Sequence, residues 1–299
     1  VKQAQTSPRA PRRLGLLYVA PLVIGMALFT LWPIINVAWL SVQEGYQFLN
    51  GTSQGIGLGS YANALQDPKF QSALRNTAVY VLIALPTSLA LGLLFAALLH
   101  RQVRARRLIQ MLYFFPLVTS TTAIGFSWRW IFDARNGILN QLLGSFDVGP
   151  IDWLGDPAWG MFVLAVFGTW GLLPLSTILL LVGLRNIDPR LLQAARVDGA
   201  GPTALFRTIT LPLLRPTIGL VAVLNLITCT LVFDQLFPLF NGKPGVAGSL
   251  YTVVFYIYDT FYNRFDVATA SAAAVMFSLV VLAITLVQLK LQQRKGLGA

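Results

Sequence analysis

At 299 residues the chain is long enough for two soluble domains, but its composition overrides that reading. Hydrophobic residues make up 56% of it and charged residues only 11%, against roughly 25% charged in soluble domains. The formal charge of +11 would suggest nucleic acid in a soluble protein; here it reads as basic loops beside a membrane, and no nucleic-acid partner is expected.

Apolar runs of 18 or more residues recur along the chain. Lipid offers the backbone no hydrogen-bond partner, so the runs are expected to be helices. The predicted fold class is all-α: a polytopic membrane protein with six transmembrane helices. Cys229 is the one cysteine and His100 the one histidine, which excludes an intrachain disulfide and a multi-histidine metal site.

In chain order, residues 1–13 form a flexible basic tail with Pro8 and Pro11. The stretch from Lys2 onward resembles a signal peptide. The apolar run that follows is too long for one, however, and no small-residue cleavage site ends it, so an uncleaved first span is expected over 14–42. A Gly/Ser/Gln/Asn-rich loop covers 45–59, and a short surface helix over 61–76 leads into the second span, 77–99. The basic loop 100–107 precedes the third span, 108–132. An acidic segment with Asp133, Asp147, Asp152 and Asp156 precedes the fourth span, 158–184. Within that span Gly168-Thr169-Trp170-Gly171 and Pro174 predict a broken helix. The polar segment 187–210 then leads to the fifth span, 211–237. In the next loop the aromatic run 251–262 is read as a membrane-interface anchor. The sixth span, 267–289, opens on small residues that let helices approach closely, and 291–299 form a second tail.

Most of the 22 basic residues fall at the two termini, in 100–107 and in 185–215. Counted over short loops, this predicts that both termini and the segment 187–210 are cytoplasmic, in a bacterial cell (inner) membrane, multi-pass.

The segment Gln193-Ala194-Ala195-Arg196-Val197-Asp198-Gly199-Ala200, followed by Phe206, Ile209, Leu211-Pro212 and Pro216, resembles the EAA loop of ABC-importer permeases. Trp128-Arg129-Trp130-Ile131-Phe132-Asp133, Gly183-Leu184-Arg185-Asn186-Ile187 and Phe233-Asp234-Gln235-Leu236 narrow the resemblance to the carbohydrate-uptake group, in its MalF- and UgpA-like branch. The likeness covers 14–290, which makes that stretch a permease domain of MetI-like type. The family's usual Glu is Gln193 here, a side chain of the same length with an acceptor oxygen and no charge.

The resemblance implies that Gln193, Ala194, Ala195, Arg196, Asp198, Gly199 and Ala200 form a coupling helix docked on a cytoplasmic ATPase. It implies a second homologous permease, two ATPase subunits, an extracytoplasmic solute-binding protein and contact with membrane lipid. No cofactor is expected on this chain; ATP and Mg belong to the ATPase. Asp198-Gly199 suits a helix end, because glycine tolerates positive φ.

Transporter sites lie near the bilayer midplane, where helices are interrupted. Gly168, Trp170 and Gly171 qualify in the fourth span. In the fifth, Asn225, Thr228, Cys229 and Val232 share one helical face. Together these are the candidate substrate path, with interhelical hydrogen bonding as the bland reading of Asn225 and Thr228. Asp234 and Gln235 are candidates for an outer gate. Arg129 is expected to snorkel between Trp128 and Trp130, with docking of a binding protein as the alternative.

The sequence contains no G-x-x-x-x-G-K-[ST], no Ser/His/Asp or paired-carboxylate arrangement in the spans and no acidic relay inside them. There is no candidate catalytic or metal-ligating residue, and an enzyme is not expected. The leading function is the permease subunit of an ATP-driven, binding-protein-dependent importer of a sugar or sugar-like solute. The alternatives are a self-contained secondary carrier or channel for a small polar solute, and a membrane scaffold.

Overall fold

The computed structural model describes residues 12–48, 50–100 and 106–296. The predicted tail 1–13 therefore lies outside the described residues except at Arg12 and Arg13, as do 297–299 of the second tail and most of the basic loop 100–107.

The described chain divides into two compact units. The smaller comprises the chain up to Ala64 together with Thr260–Val275. Its first span is a continuous helical rod: α1 (Arg12–Met26), a π-helical turn (Ala27–Leu31) and α2 (Trp32–Ser41). Pro21 does not stop it, and the 18-residue window over Tyr18–Ser41 buries none of its residues. A short antiparallel hairpin follows, with β1 (Gln43–Glu44) paired to β2 (Gly55–Ile56). Glu44 Oε1 accepts from the Gly59 N–H at 2.8 Å, which joins the hairpin to the start of α3 (Gly59–Gln66).

The second span begins nine residues earlier in the chain than the sequence predicts. No single surface helix covers 61–76; α3 stops at Gln66 and a separate helix, α4 (Pro68–His100), runs for 33 residues. The cause is local: Asp67 Oδ1 accepts from the Lys69 N–H at 2.8 Å, and Pro68 occupies a first-turn position whose missing N–H costs nothing.

The third span is split into α5 (Arg106–Val118) and α6 (Thr121–Ile131). The break falls in Thr119-Ser120-Thr121-Thr122, hydroxyl residues that favour caps over helix interiors. Ser120 adopts extended backbone, with φ −65° and ψ 127°. Among the described residues, five helices are consequently long and apolar enough to cross a membrane, and the third predicted span is not one of them.

The segment after it carries α7 (Ile138–Gly144), and three of its four acids, Asp133, Asp152 and Asp156, accept from nearby backbone N–H groups. Asp152 Oδ1 accepts from the Gly155 N–H, and Asp156 Oδ1 caps the next helix through the Ala158 N–H, both at 2.8 Å. At the centre of this loop Asn140 donates to the carbonyls of Ala134 and Ile151 and accepts from the Ile151 N–H and Trp153 Nε1.

α8 (Pro157–Arg185) is the centre of the larger unit; 67% of its apolar window is buried. It is one unbroken helix of 29 residues, contrary to the break predicted at Gly168–Gly171 and Pro174. A proline inside a buried span costs one backbone bond, and neighbouring helices hold the flanking turns in place. α4, α8 and the helix after the polar segment share a core of Ala96, Leu180, Leu184, Leu214 and Val221.

The polar segment folds as α9 (Pro189–Val197), α10 (Pro202–Leu205) and a π-helical turn (Phe206–Thr210) that runs directly into α11 (Leu211–Thr230). α11 ends seven residues before the predicted 237. Beyond it the chain is held by side chains: Thr252 Oγ1 donates to the Val232 carbonyl at 3.0 Å, and Gln235 Oε1 accepts from the Phe233 N–H at 3.1 Å. α12 (Leu236–Phe240) and α13 (Val253–Tyr258) follow.

The aromatic run 251–262 is not wholly an interface anchor. Tyr251, Phe255 and Tyr256 are buried, and the Tyr256 ring packs 5.1 Å from that of Phe70 on α4. After a π-helical turn over Asp259–Asn263, α14 (Val267–Gly296) forms the last span; its first turns bury Ala268, Ala270, Ala272 and Ala273.

Candidate functional site: a cavity between spans and an exposed lever

Two features of the larger unit bear on function. The first is a cavity of about 210 Å³ bounded by α4, α5, α6, α8, the end of α11 and Gln235. One wall is aromatic. Trp128 on α6 packs its ring 5.5 Å from both Phe167 and Trp170 on α8, and Phe167 stacks on Trp170 at 6.0 Å. The rest of the lining includes Tyr80, Thr121, Gly171, Thr228, Cys229 and Gln235.

Of the candidate path residues, Gly168, Trp170, Gly171, Thr228 and Cys229 line this cavity. Cys229 is a free, buried thiol, and Thr228 turns its hydroxyl back to the Leu224 carbonyl at 3.0 Å. Asn225 does not line it. Its amide donates to Ser88 Oγ on α4 at 2.9 Å and to Ser176 Oγ on α8 at 2.8 Å, so it ties three helices together in a fully buried node. Val232 lies past the end of α11 and is buried, with its carbonyl bonded to Thr252. The single face predicted for Asn225, Thr228, Cys229 and Val232 is therefore divided among three environments. Gln235 reaches the cavity and Asp234 stays exposed outside it.

Sequence reasoning missed Tyr80 and Thr121. Tyr80 sits in a long apolar span, and only the packing of α4 on α8 brings it to the cavity. Arg129 donates to Asn241 Oδ1, while Trp128 faces inward and Trp130 is exposed. Of the two rings expected beside a snorkelling Arg129, Trp130 is exposed and Trp128 packs within the unit. Asp133 accepts from the Asn136 and Arg135 N–H groups, which hold its carboxyl below the usual value, with the charges of Arg135 and Arg129 adding to the effect.

The second feature is α9. Asp188 Oδ1 caps it through the Arg190 N–H at 2.9 Å, and Pro189 opens it. At its end the Ala200 N–H reaches the Ala195 carbonyl and the Gly199 N–H reaches that of Arg196, a Schellman arrangement. It requires the left-handed backbone that Gly199 adopts at φ +83°. No residue of α9 is buried. Gln193, Ala194, Arg196, Asp198 and Gly199 are exposed, and Ala195 and Ala200 half-buried. A second cavity, of about 540 Å³, opens between this segment and the adjacent ends of α4 and α8; it is lined by His100, Leu184, Ile187, Arg196 and Phe206 among others.

The chain is similar to known transport proteins over almost its whole length. It is 29% identical over 278 residues to the trehalose/maltose transport system permease protein MalF of Thermococcus litoralis, covering 93% of each chain. It is 31% identical to the arabinooligosaccharides transport system permease protein AraP of Bacillus subtilis, covering 92% of this chain and 87% of that one. Its fold matches a chain of a bacterial ABC transporter that imports the acidic polysaccharide alginate, with a TM-score of 0.80 at 22% identity over 95% and 96% of the two chains. Residues 88–296 fit the family model described as binding-protein-dependent transport system inner membrane component, and the chain belongs to that family.

Proposed function

We propose that this chain is one of two permease subunits of an ATP-driven, binding-protein-dependent importer, and that with a second, homologous permease it encloses the path of a sugar or sugar-like solute. The names of its relatives support sugar transport, and the aromatic and hydroxyl lining of the cavity suits such a solute. The single observation that carries the mechanism is mechanical. One run of helix joins the exposed segment at α9 to the cavity: α10, the π-helical turn and α11 are continuous from Pro202 to Thr230, and Thr228 and Cys229 lie at its far end. Force applied at α9 would be carried along this rod.

In this reading Gln193–Ala200 dock on one of two cytoplasmic ATPase subunits, which hold ATP and Mg, and an extracytoplasmic binding protein delivers the solute. The chain crosses the membrane six times, with α5 and α6 together as the third crossing, and both termini are cytoplasmic. The distribution of basic residues supports this orientation. The permease domain spans 14–290. In this reading Gln235 and Asp234 form an outer gate, which the place of Gln235 in the cavity lining supports, and Val232 and Asn225 hold the helices that line the path without contacting the solute.

Deletion of 193–201 tests the reading. In proteoliposomes carrying the complete transporter, ATP-dependent uptake should be lost while insertion of the chain is retained. Uptake that survives the deletion, or that proceeds without any ATPase subunit, would overturn the proposal in favour of a self-contained carrier.

A further inference from the structure

Tyr80 is the least expected group in the cavity. It lies on α4, is 2% exposed and lines the cavity. A tyrosine hydroxyl in an apolar span needs a polar partner, and the cavity that Tyr80 lines is where a solute can supply one. The backbone of α8 is shaped to accept it: a Cβ built on Gly168 would lie 1.8 Å from Tyr80 Oη and 2.9 Å from Cζ. No other residue type fits at 168 while the phenol lies where it does. α4 and α8 therefore meet so as to hold this oxygen against the cavity wall.

The rest of the lining fixes what the oxygen can meet. Thr121, Thr228 and Gln235 add neutral polar groups, and Trp170 adds an aromatic face. No Asp, Glu, Lys, Arg or His is among the described lining residues. A carboxylate or sulfonate entering a low-dielectric site without a cation pays its desolvation uncompensated, whereas a hydroxyl needs only one neutral partner. We infer that Tyr80 is a solute-binding residue of this cavity, that Gly168 positions its hydroxyl, and that the uncharged lining restricts passage to neutral, hydroxyl-rich solutes. The inference rests on the reading of this cavity as the solute path.

The chain's one cysteine lines the same cavity, so chemistry at Cys229 reports on it directly. The complete transporter, cycling with ATP and binding protein, is treated with three methanethiosulfonates of similar size bearing an ethyl, a hydroxyethyl or a sulfonatoethyl group. Modification of the Cys229 peptide is followed by mass spectrometry, and each rate is divided by that on free cysteine.

The hydroxyethyl reagent should react about tenfold faster than the sulfonatoethyl one, and faster than the ethyl one by the threefold to tenfold that one neutral hydrogen bond supplies. In Tyr80→Phe the preference for hydroxyethyl over ethyl should vanish while discrimination against the sulfonate remains. A preference unchanged in Tyr80→Phe overturns the role of Tyr80. Equal rates for the sulfonate and the neutral reagents overturn the restriction to neutral solutes. If no reagent reaches Cys229 at any stage of the cycle, the path reading itself fails.

Gly168→Ala should assemble poorly. Adding Tyr80→Phe to it removes the 1.8 Å contact and should restore assembly without restoring the hydroxyl preference. Failure of that rescue shows that Gly168 is needed for packing alone.

Discussion

Asn225 donates to Ser176 Oγ at 2.8 Å, joining α11 to α8 where neither side chain touches solvent. The same amide reaches Ser88 on α4, and each serine in turn donates to a carbonyl of its own helix, at Leu85 and Leu172. The amide oxygen of Asn225 is buried without a partner. The node thus combines two interhelical bonds with one unsatisfied acceptor.

That balance predicts a small cost for Asn225→Leu. The substitution removes two bonds worth about 0.6 kcal/mol each in membranes, but it also removes the orphan oxygen and keeps the branched shape, with methyls larger than the polar atoms they replace. Unfolding in mixed detergent should shift by about 1–2 kcal/mol. Asn225→Ala, which leaves a void, should cost about 2 kcal/mol or more.

Asn140 presents the opposite case, because both ends of its amide are satisfied. Asn140→Ala strands Trp153 Nε1 and three backbone groups in a pocket walled by Phe132, Trp153 and Val163. We expect a local loss of about 2–4 kcal/mol. Limited proteolysis should then cut within 133–156 under conditions that leave the parent protein intact.

The end of α9 depends on one backbone angle. Gly199→Val forces a β-branched residue to φ +83° at a cost of about 1–2 kcal/mol. ATPase stimulation by the loaded binding protein should fall in the complete transporter. Gly201→Ala, in open space and at an ordinary φ of −68°, should leave it unaltered.

Asp133 supplies a pH dependence. Its carboxyl is held below the usual value by the Asn136 and Arg135 N–H groups. A group depressed in the folded state stabilises it above the unfolded pKa of about 3.9, and the contribution fades as pH falls through the depressed value. Exchange at the Asn136 amide should be slower in the parent than in Asp133→Asn near neutral pH. The difference should close only as pH falls through that depressed value, below the ordinary carboxyl range.

Hydropathy found the five long helices among the described residues, though α4 begins nine residues before the predicted start and α11 ends seven before the predicted end, because a run of about twenty apolar residues has few other uses. It misjudged continuity. Glycine and proline marked α8 as broken, but burial on most sides keeps its flanking turns together. The real break, at Thr119-Ser120, lies in a stretch whose threonines and serine barely lower the hydropathy. Asp198-Gly199 was legible because a helix stop is local chemistry. The cavity was only half legible: Trp170, Thr228 and Cys229 stand near signals in their own spans, whereas Tyr80 is selected by a neighbour, Gly168, 88 positions away in the chain. Helical spacing grouped Asn225 with Thr228, yet the packing of α4 and α8 separated them.

α9 leaves Leu191 49% and Val197 87% exposed. Water meets aliphatic carbon there at a cost of roughly 25 cal/mol for each Å². Made alone, the polypeptide carries that penalty for its whole lifetime; covered by a neighbour, it is relieved of it. Its survival in the cell should therefore track how much of that neighbour is produced, and an unmatched surplus should fall to quality-control proteases before it ever meets a solute.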